Sequence, residues 1–430
     1  MHAILRTVAG LVGFAAVAVD LPWSGWPPEP FPAPIASGPT VSIDASGPDV
    51  TLTFQGTLQS APTVEGPWVD VAGADSPFRE PMGGNPRFFR RRDPDGVFAT
   101  NSVLSFTVTG PLQQHFDLAL AGLPDGIFPP VRPKPYFAGQ VRLAGSDVPV
   151  SLRVRGNSSL QECPFPKLKF KVAKEDRPGT PFAEAREVKI GTHCAEGGQG
   201  SIGRLRDERA AYREALAYEA MRVLGFVSPR VRRARISYAD TSPTNAVPDV
   251  GWQLTRGAVI VEDIEVLAER MGGRALDESE VSALRDANFD AQLIADLRCF
   301  HVLLGNWDFA LSPDGQGLWN TEVMALAEGV FVPVAGDFDL ASWVTESVLE
   351  SYPHDYLPDL PAVDRRARYE LEQVRKLVSP GHFAASRERL LTRRNALAQT
   401  VAAALVDEAG RTNVQRHIAA FYDALIATGR

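Results

Sequence analysis

The segment from Gly305 to Trp343 reads GNWDFALSPDGQGLWNTEVMALAEGVFVPVAGDFDLASW. A helical pattern runs into it, with Phe289, Leu293, Leu297, Phe300 and Leu304 on one face, and stops at Gly305-Asn306. Asp308 follows at once, between Trp307 and Phe309. An acid held between two large aromatics is costly unless it has a partner or a task, although an Asx turn ending the helix would also put it there. Further along, the apolar run Val330 to Val334 reads as a short strand that delivers Asp337-Phe338-Asp339. Period-two alternation sends Asp337 and Asp339 to one side and Phe338 into the core. Two carboxylate stations are thus held apart by a loop and a strand.

Upstream, FAGQVRLAG, VPVSLRVRGNSS and PKLKFKV give three β runs in succession. In the last, Lys167, Lys169 and Lys171 alternate with Leu168, Phe170 and Val172, so the three lysines share one face. Any one of them would also suit a solvated sheet surface. Asp207 to Leu224 reads as a helix with Asp207 and Glu208 at its start, a stripe of Tyr212, Leu216, Ala220, Val223 and Leu224, and Gly225 at the C-cap position. RARISYAD is a strand, and Ala258 to Val261 is a buried strand ending in Glu262 and Asp263. Asp277 with Glu280 makes a capping box. After Trp343 the chain is helical, over about 364–377, 383–408 and 412–428.

The 430 residues leave room for about two or three domains. A balance of 44 basic and 52 acidic side chains gives −8, too mild to imply an acidic or nucleic-acid partner, and no nucleic-acid binding is expected. The 36 Gly and 34 Pro imply many loops rather than a long helical bundle. Arg6, the apolar run Thr7 to Val17 and Ala16-Val17-Ala18 have the layout of a secretory leader, expected over 1–18, which places the mature protein outside the cell or at its surface. No later run of apolar residues is long enough to span a bilayer, so no membrane span is expected after cleavage. Of the three cysteines, Cys163 and Cys194 sit in loop-like surroundings and are expected to pair, whereas Cys299 lies within an apolar helical pattern as a small hydrophobe.

Residues 19–38 are Pro-rich and read as a linker. Residues 39–93 carry four or five short strands, beginning with VSIDASGPDVTLTF about a turn at Ser46-Gly47-Pro48, and read as a small β-sandwich. Its pieces GTLQSA, GPWVDV and RFFR resemble an immunoglobulin-like or fibronectin-like appendage. Asp93-Pro94-Asp95-Gly96 is a turn at the boundary, and 97–430 form the main domain, β-rich first and helical later.

Carboxylates at two stations, with lysines on an upstream strand, suit phosphoryl transfer: metal and lysine neutralise the phosphate while an acid orients the acceptor. Mg²⁺ wants hard oxygen ligands and keeps several waters, so one or two carboxylates suffice. The sequence has no G-x-x-x-x-G-K-[ST] loop and no G-x-S-x-G elbow.

As an ordered set, these pieces resemble the CotH family, the atypical protein kinases of spore-coat type. The resemblance is carried by Arg155-Gly156-Asn157-Ser158-Ser159 with Pro166-Lys167-Leu168-Lys169-Phe170, then RDERAAYREALAYEAMRVLG, GAVIVEDIEVLAERMG, GNWD and VAGDFDLASW, and spans roughly 100–345. It implies an α+β fold, a two-lobed protein-kinase-like domain with a β-rich N-lobe and a helical C-lobe, preceded by the small all-β immunoglobulin- or fibronectin-like domain. It also implies ATP with Mg²⁺ or Mn²⁺, and a protein substrate with a Ser or Thr acceptor. Asp308 would orient or deprotonate that hydroxyl. Asp337 would bind the metal, with Asp339 supporting. Lys169, or else Lys171 or Lys167, would contact the nucleotide phosphates, and Glu214 would hold that lysine. Glu262 would lie near the adenine. Family members place an Asn a few residues after the acid as a second metal ligand; here Asn320 comes twelve residues on, past an inserted SPDGQG loop. An exported CotH-like kinase is the expectation. The alternative is a catalytically inactive kinase-like surface or coat protein that binds through the same scaffold.

Overall fold

The computed structural model describes residues 102–428 except 123–133, 144–145, 157, 179, 192–193, 195–199, 201–202, 243–252, 328 and 351, together with short pieces between residues 2 and 99. Most of the apolar leader run and the Pro-rich segment at 20–38 lie outside the described residues. The chain is mixed α+β and divides into two compact units, residues 1–99 with 270–272 and residues 100–269 with 273–430.

In the first unit, β1 (His2–Leu5) pairs antiparallel with β2 (Ala16–Val19). β3 (Ser42–Asp44), β4 (Asp49–Thr53), β5 (Thr57–Ala61), β6 (Val69–Asp70), β7 (Phe78–Pro81) and β8 (Phe88–Arg92) follow. They form two three-stranded sheets, in the orders β3-β4-β7 and β6-β5-β8. Alternation along β4 buries Val50 and Leu52, which join Leu58 and Phe89 in a shared core.

The second unit opens with β9 (Leu104–Gly110), α1 (Leu112–Ala121), β10 (Phe137–Leu143), β11 (Ser146–Val154), α2 (Ser158–Glu162), β12 (Leu168–Lys171), β13 (Glu187–Gly191), α3 (Glu208–Val223), β14 (Val231–Asp240) and β15 (Gln253–Glu262). Seven of these strands close a barrel in the order β10-β11-β12-β13-β15-β14-β9. Every pair is antiparallel except β14 with β9. Phe106, Leu152, Leu168, Phe170, Ile190 and Ile260 are buried within it. Each contributes about 1.5–3 kcal/mol of burial.

α3 caps as expected, with the Asp207 side chain accepting from the Arg209 amide and Gly225 at φ +89°. Its burial is wider than a stripe. Arg213, Glu214 and Tyr218 are buried along with Ala210, Leu216 and Met221, because α3 packs on β14 and β15 on one side and on two later helices on the other. The small side chains of Ala215, Ala217 and Ala220 allow that close approach from several directions.

Beyond the barrel come α4 (Ile264–Arg270), β16 (Arg274–Ala275), α5 (Glu278–Ser282), α6 (Ala291–Leu304), the β17–β18 hairpin (Ala310–Ser312, Gly317–Trp319), β19 (Thr321–Ala327), β20 (Val330–Ala335), α7 (Ser342–Thr345), α8 (Ala362–Leu377), α9 (Pro380–Ala403) and α10 (Glu408–Ala427). The capping box of Asp277 and Glu280 is present at α5. α6 starts later than its apolar pattern: Asp290 caps it by accepting from the Leu293 amide, which leaves Phe289 to bridge to Phe331 of β20. Gly305, at φ +61°, closes α6. Among the described residues no helix is long and apolar enough to cross a membrane.

Candidate functional site

Lys167 lies just before β12 and faces outward from the barrel, as Lys169 and Lys171 do, while Leu168 and Phe170 fill the interior. α3 and the Asp337–Asp339 turn cover it, so only 5% of Lys167 is exposed. Its ammonium contacts Asp337 Oδ1 and lies 2.8 Å from Asp339 Oδ2. Arg204 reaches the same Asp339 oxygen at 2.6 Å through Nε and Glu162 at 2.5 Å through Nη1. Arg155, paired across from Lys167, approaches Asp337 at 4.0 Å.

The charges in this cluster set one another. Burial alone would lower the Lys167 ammonium, but Asp337, Asp339 and Glu214 outweigh it and hold the pKa above its usual value. Burial would raise the Asp339 carboxyl, and Arg204 with Lys167 instead hold it well below the carboxylate range. Glu214 behaves oppositely: burial lifts it to about 7, against the pull of Lys167 and with the push of Asp337 and Asp339. A bare Cβ at Gly191 would come within 2.9 Å of the Glu214 carboxylate, so the glycine leaves that carboxylate its place under the sheet.

The Glu214 carboxyl predicts a pH effect on stability. The unfolded group titrates near 4.5 and the folded one near 7, so the folded state keeps its proton longer. Its favourable contribution is complete below about 4.5 and is lost as pH rises through about 7, up to roughly 3 kcal/mol. Glu214→Gln, uncharged throughout, should flatten that descent. Denaturation at pH about 5 and about 8 measures it, and parallel slopes for wild type and variant would refute the assignment.

Asp308 has both carboxylate oxygens held. Trp319 Nε1 donates to Oδ1 at 2.8 Å and Asn320 Nδ2 donates to Oδ2 at 2.9 Å. Burial raises its pKa, the Trp319 bond opposes the rise, and the charges of Asp339 and Asp337 add to it. The twelve-residue gap to Asn320 is the β17–β18 hairpin, whose antiparallel return sets Ala310 across from Trp319 and brings Asn320 back to Asp308. Asn320, at φ +50°, also accepts from the Gly336 amide at 2.9 Å. Next to it, Asp337 has φ +55°, and its amide donates to the Tyr218 hydroxyl at 3.0 Å. A non-glycine residue in that region is held there by its surroundings. Phe338 is fully buried against Tyr218 and Phe300. One hydrogen-bonded line therefore joins the two carboxylate stations through Asn320.

Several expected placements differ. Lys169 does not reach the carboxylates; Glu187 holds it at 2.6 Å, and Lys171 lies 3.5 Å from the same Glu187. Alternation is obeyed, but only the first lysine of the three lies beneath α3. Glu214 accordingly belongs with Lys167 and not with Lys169. Glu262 is 1% exposed and accepts from the Arg230 amide and Nε, both at 2.8 Å, so it has no open side for a base. Asp339 meets two cations through Oδ2. Spacing did not mark Arg204, Glu162 or Tyr218, because each is brought in from another part of the chain.

The Cys163–Cys194 disulfide is formed and Cys299 is free and buried. The disulfide fixes the chain next to Glu162 and, with Lys167, Arg204, Glu214 and Asp339, lines a small cavity. Among the described residues no cluster of three or more His, Cys, Asp or Glu could hold a metal alone. The donors present fit Mg²⁺ in a different way. The Asp337 carboxylate is 31% exposed, and a metal that keeps waters and takes phosphate oxygens needs only one or two such groups.

No protein-family model and no curated protein matches the chain. Among solved structures it is similar to the crystal structure of a Helicobacter pylori proinflammatory kinase, CtkA, at 11% identity and a TM-score of 0.28, covering 70% of this chain and 96% of that one. At that level the likeness does not bear on what these residues do.

Proposed function

We propose that this chain is an exported CotH-like kinase that transfers the terminal phosphoryl group of ATP to a Ser or Thr hydroxyl of a protein. In this reading the barrel with α3 forms one lobe, the helices from α6 onward form the other, and the two sheets of the first unit are the immunoglobulin- or fibronectin-like appendage. The observation that carries it is the meeting of Lys167, Glu214, Asp337 and Asp339 from three distant stretches, with Asp308 tied to the same turn through Asn320. A bound Mg²⁺ or Mn²⁺ would neutralise phosphate charge from Asp337, with the Asn320 amide oxygen as the neighbouring donor. Lys167 takes the role expected of Lys169: it exchanges part of its carboxylate contact for phosphate oxygens. Glu214 then carries the countercharge that keeps Lys167 in place. Asp308, oriented by Trp319 and Asn320, accepts the acceptor's proton, and its raised pKa brings it closer to that work at neutral pH.

Incubation with labelled ATP, Mg²⁺ and a mixed protein acceptor tests this. Asp308→Asn keeps the shape and removes the base, and should lower incorporation by about 10²–10⁴-fold. Equal labelling of wild type and variant would end the assignment. In parallel, ATP with Mg²⁺ at about 100 times Kd should add about 2.7 kcal/mol of stability. Neither labelling nor stabilisation would leave the inactive binding protein as the reading.

A further inference from the structure

Lys169 and Lys171, which the carboxylate cluster does not use, belong to a second assembly. On the outer face of the barrel Arg153 stands directly across from Lys169, and Ser151 across from Lys171. Tyr136, just before β10, sits among the cations. Lys171 Nζ lies 4.8 Å from its ring centre, the Arg153 guanidinium 5.4 Å and Lys169 Nζ 5.8 Å. The Tyr136 hydroxyl donates to Glu187 at 2.6 Å, and Glu187 holds Lys169 at the same distance. Lys169 and Lys171 therefore share one carboxylate, and Arg153 has no ion pair among the described residues.

Like charges directly opposite on adjacent strands repel. The tyrosine face and one glutamate offset part of that and hold the side chains in place, and a surplus of positive charge remains in a chain whose net charge is −8. Lys169 and Lys171 stand two residues apart on the open part of this face, a repeat of about 6.8 Å. An extended peptide presents its own alternate side chains at the same repeat, so its carboxylates can meet successive cations without bending. A compact phosphate pocket prefers bidentate donors, and two of these three cations are lysines already turned to Glu187.

We propose that the outer face of β11 and β12 around Tyr136 docks an extended acidic segment of a protein partner. The same strand leads from Lys171 and Lys169 to Lys167, so a segment bound there points its continuation toward the carboxylate cluster. Selection of an acceptor by this route rests on the phosphoryl-transfer reading, whereas the binding itself does not.

The test is fluorescence anisotropy of a labelled peptide of alternating Glu and Ser, about ten residues long, against the same peptide with Gln in place of Glu. The Glu peptide should bind at least about tenfold tighter and lose affinity as salt rises. Lys171→Glu, at an exposed position, and Arg153→Gln should each weaken it about fivefold or more. Arg274→Gln, which removes an exposed cation outside the patch, should change it less than twofold. Equal binding of the Glu and Gln peptides, or unchanged binding in both patch variants, would overturn the proposal. The ATP and Mg²⁺ melting shift, measured on the same samples, keeps the two readings apart. A shift without peptide binding overturns only the docking surface, and peptide binding without a shift supports docking while overturning phosphoryl transfer.

Discussion

Lys167→Met is expected to lower phosphoryl transfer by about 10²–10³-fold, the scale on which one preorganised charge at a transferring group acts. Lys169→Met should stay within about threefold on an acceptor with no acidic stretch. The contrast follows from cover. Lys167 is closed in by α3 and the Asp337–Asp339 turn, and in such a site its charge is poorly screened. Lys169 is held by Glu187 at 2.6 Å, a separate pair that does not reach Asp337 or Asp339. The Lys167 variant should still fold, because Arg204 remains on Asp339 at 2.6 Å and Arg155 remains near Asp337 at 4.0 Å. Circular dichroism checks that before initial rates are compared. If Lys169→Met lost as much activity as Lys167→Met, the choice of lysine would be wrong.

Gly305→Ala should be among the most destabilising single changes in the chain, at about 5 kcal/mol. Its φ of +61° costs an alanine about 1–2 kcal/mol. The larger part is steric, since a Cβ there would lie 1.5 Å from Nη1 of Arg366. That guanidinium is buried and ties four helices together. It donates to Ser342 Oγ at 2.8 Å and to the Val302 carbonyl at 3.1 Å, and it lies 3.2 Å from His417 Nδ1. Displacing it strands a buried charge, at about 3–5 kcal/mol. Gly317→Ala is the control, with a φ of +82° and nothing within 4 Å of the added Cβ, so only the backbone term should appear. Urea denaturation of the two variants decides the matter, and equal losses would refute the role given to Arg366.

Much of this was legible because it is local. The caps at Asp207, Asp277 and Gly305, the alternation of β12 and the strand before Asp337 each depend on residues within a few positions of one another. The loop-like surroundings of Cys163 and Cys194 allow one disulfide, and the structure forms it. Other features were misread for identifiable reasons. Phe289 continued the apolar pattern of α6, yet Asp290 supplied the better cap and left it to pack on Phe331. Asn320 seemed displaced because distance along the chain took no account of a hairpin that closes the gap.

By itself the sequence determined that three lysines share one side of a strand, whereas Asp337 and Asp339 meet Lys167 from a turn beyond the end of β20 and not by strand alternation. It also determined the capping box at Asp277 and the stop at Gly305. Only the tertiary structure decided which lysine is the buried one, that Glu214 faces Lys167, and that Arg204 and Glu162 join Asp339. The physical reason is that periodicity fixes direction through local backbone geometry. Burial and charge pairing depend on which remote element lies on top, and here that element is α3, laid across the outer face of the barrel.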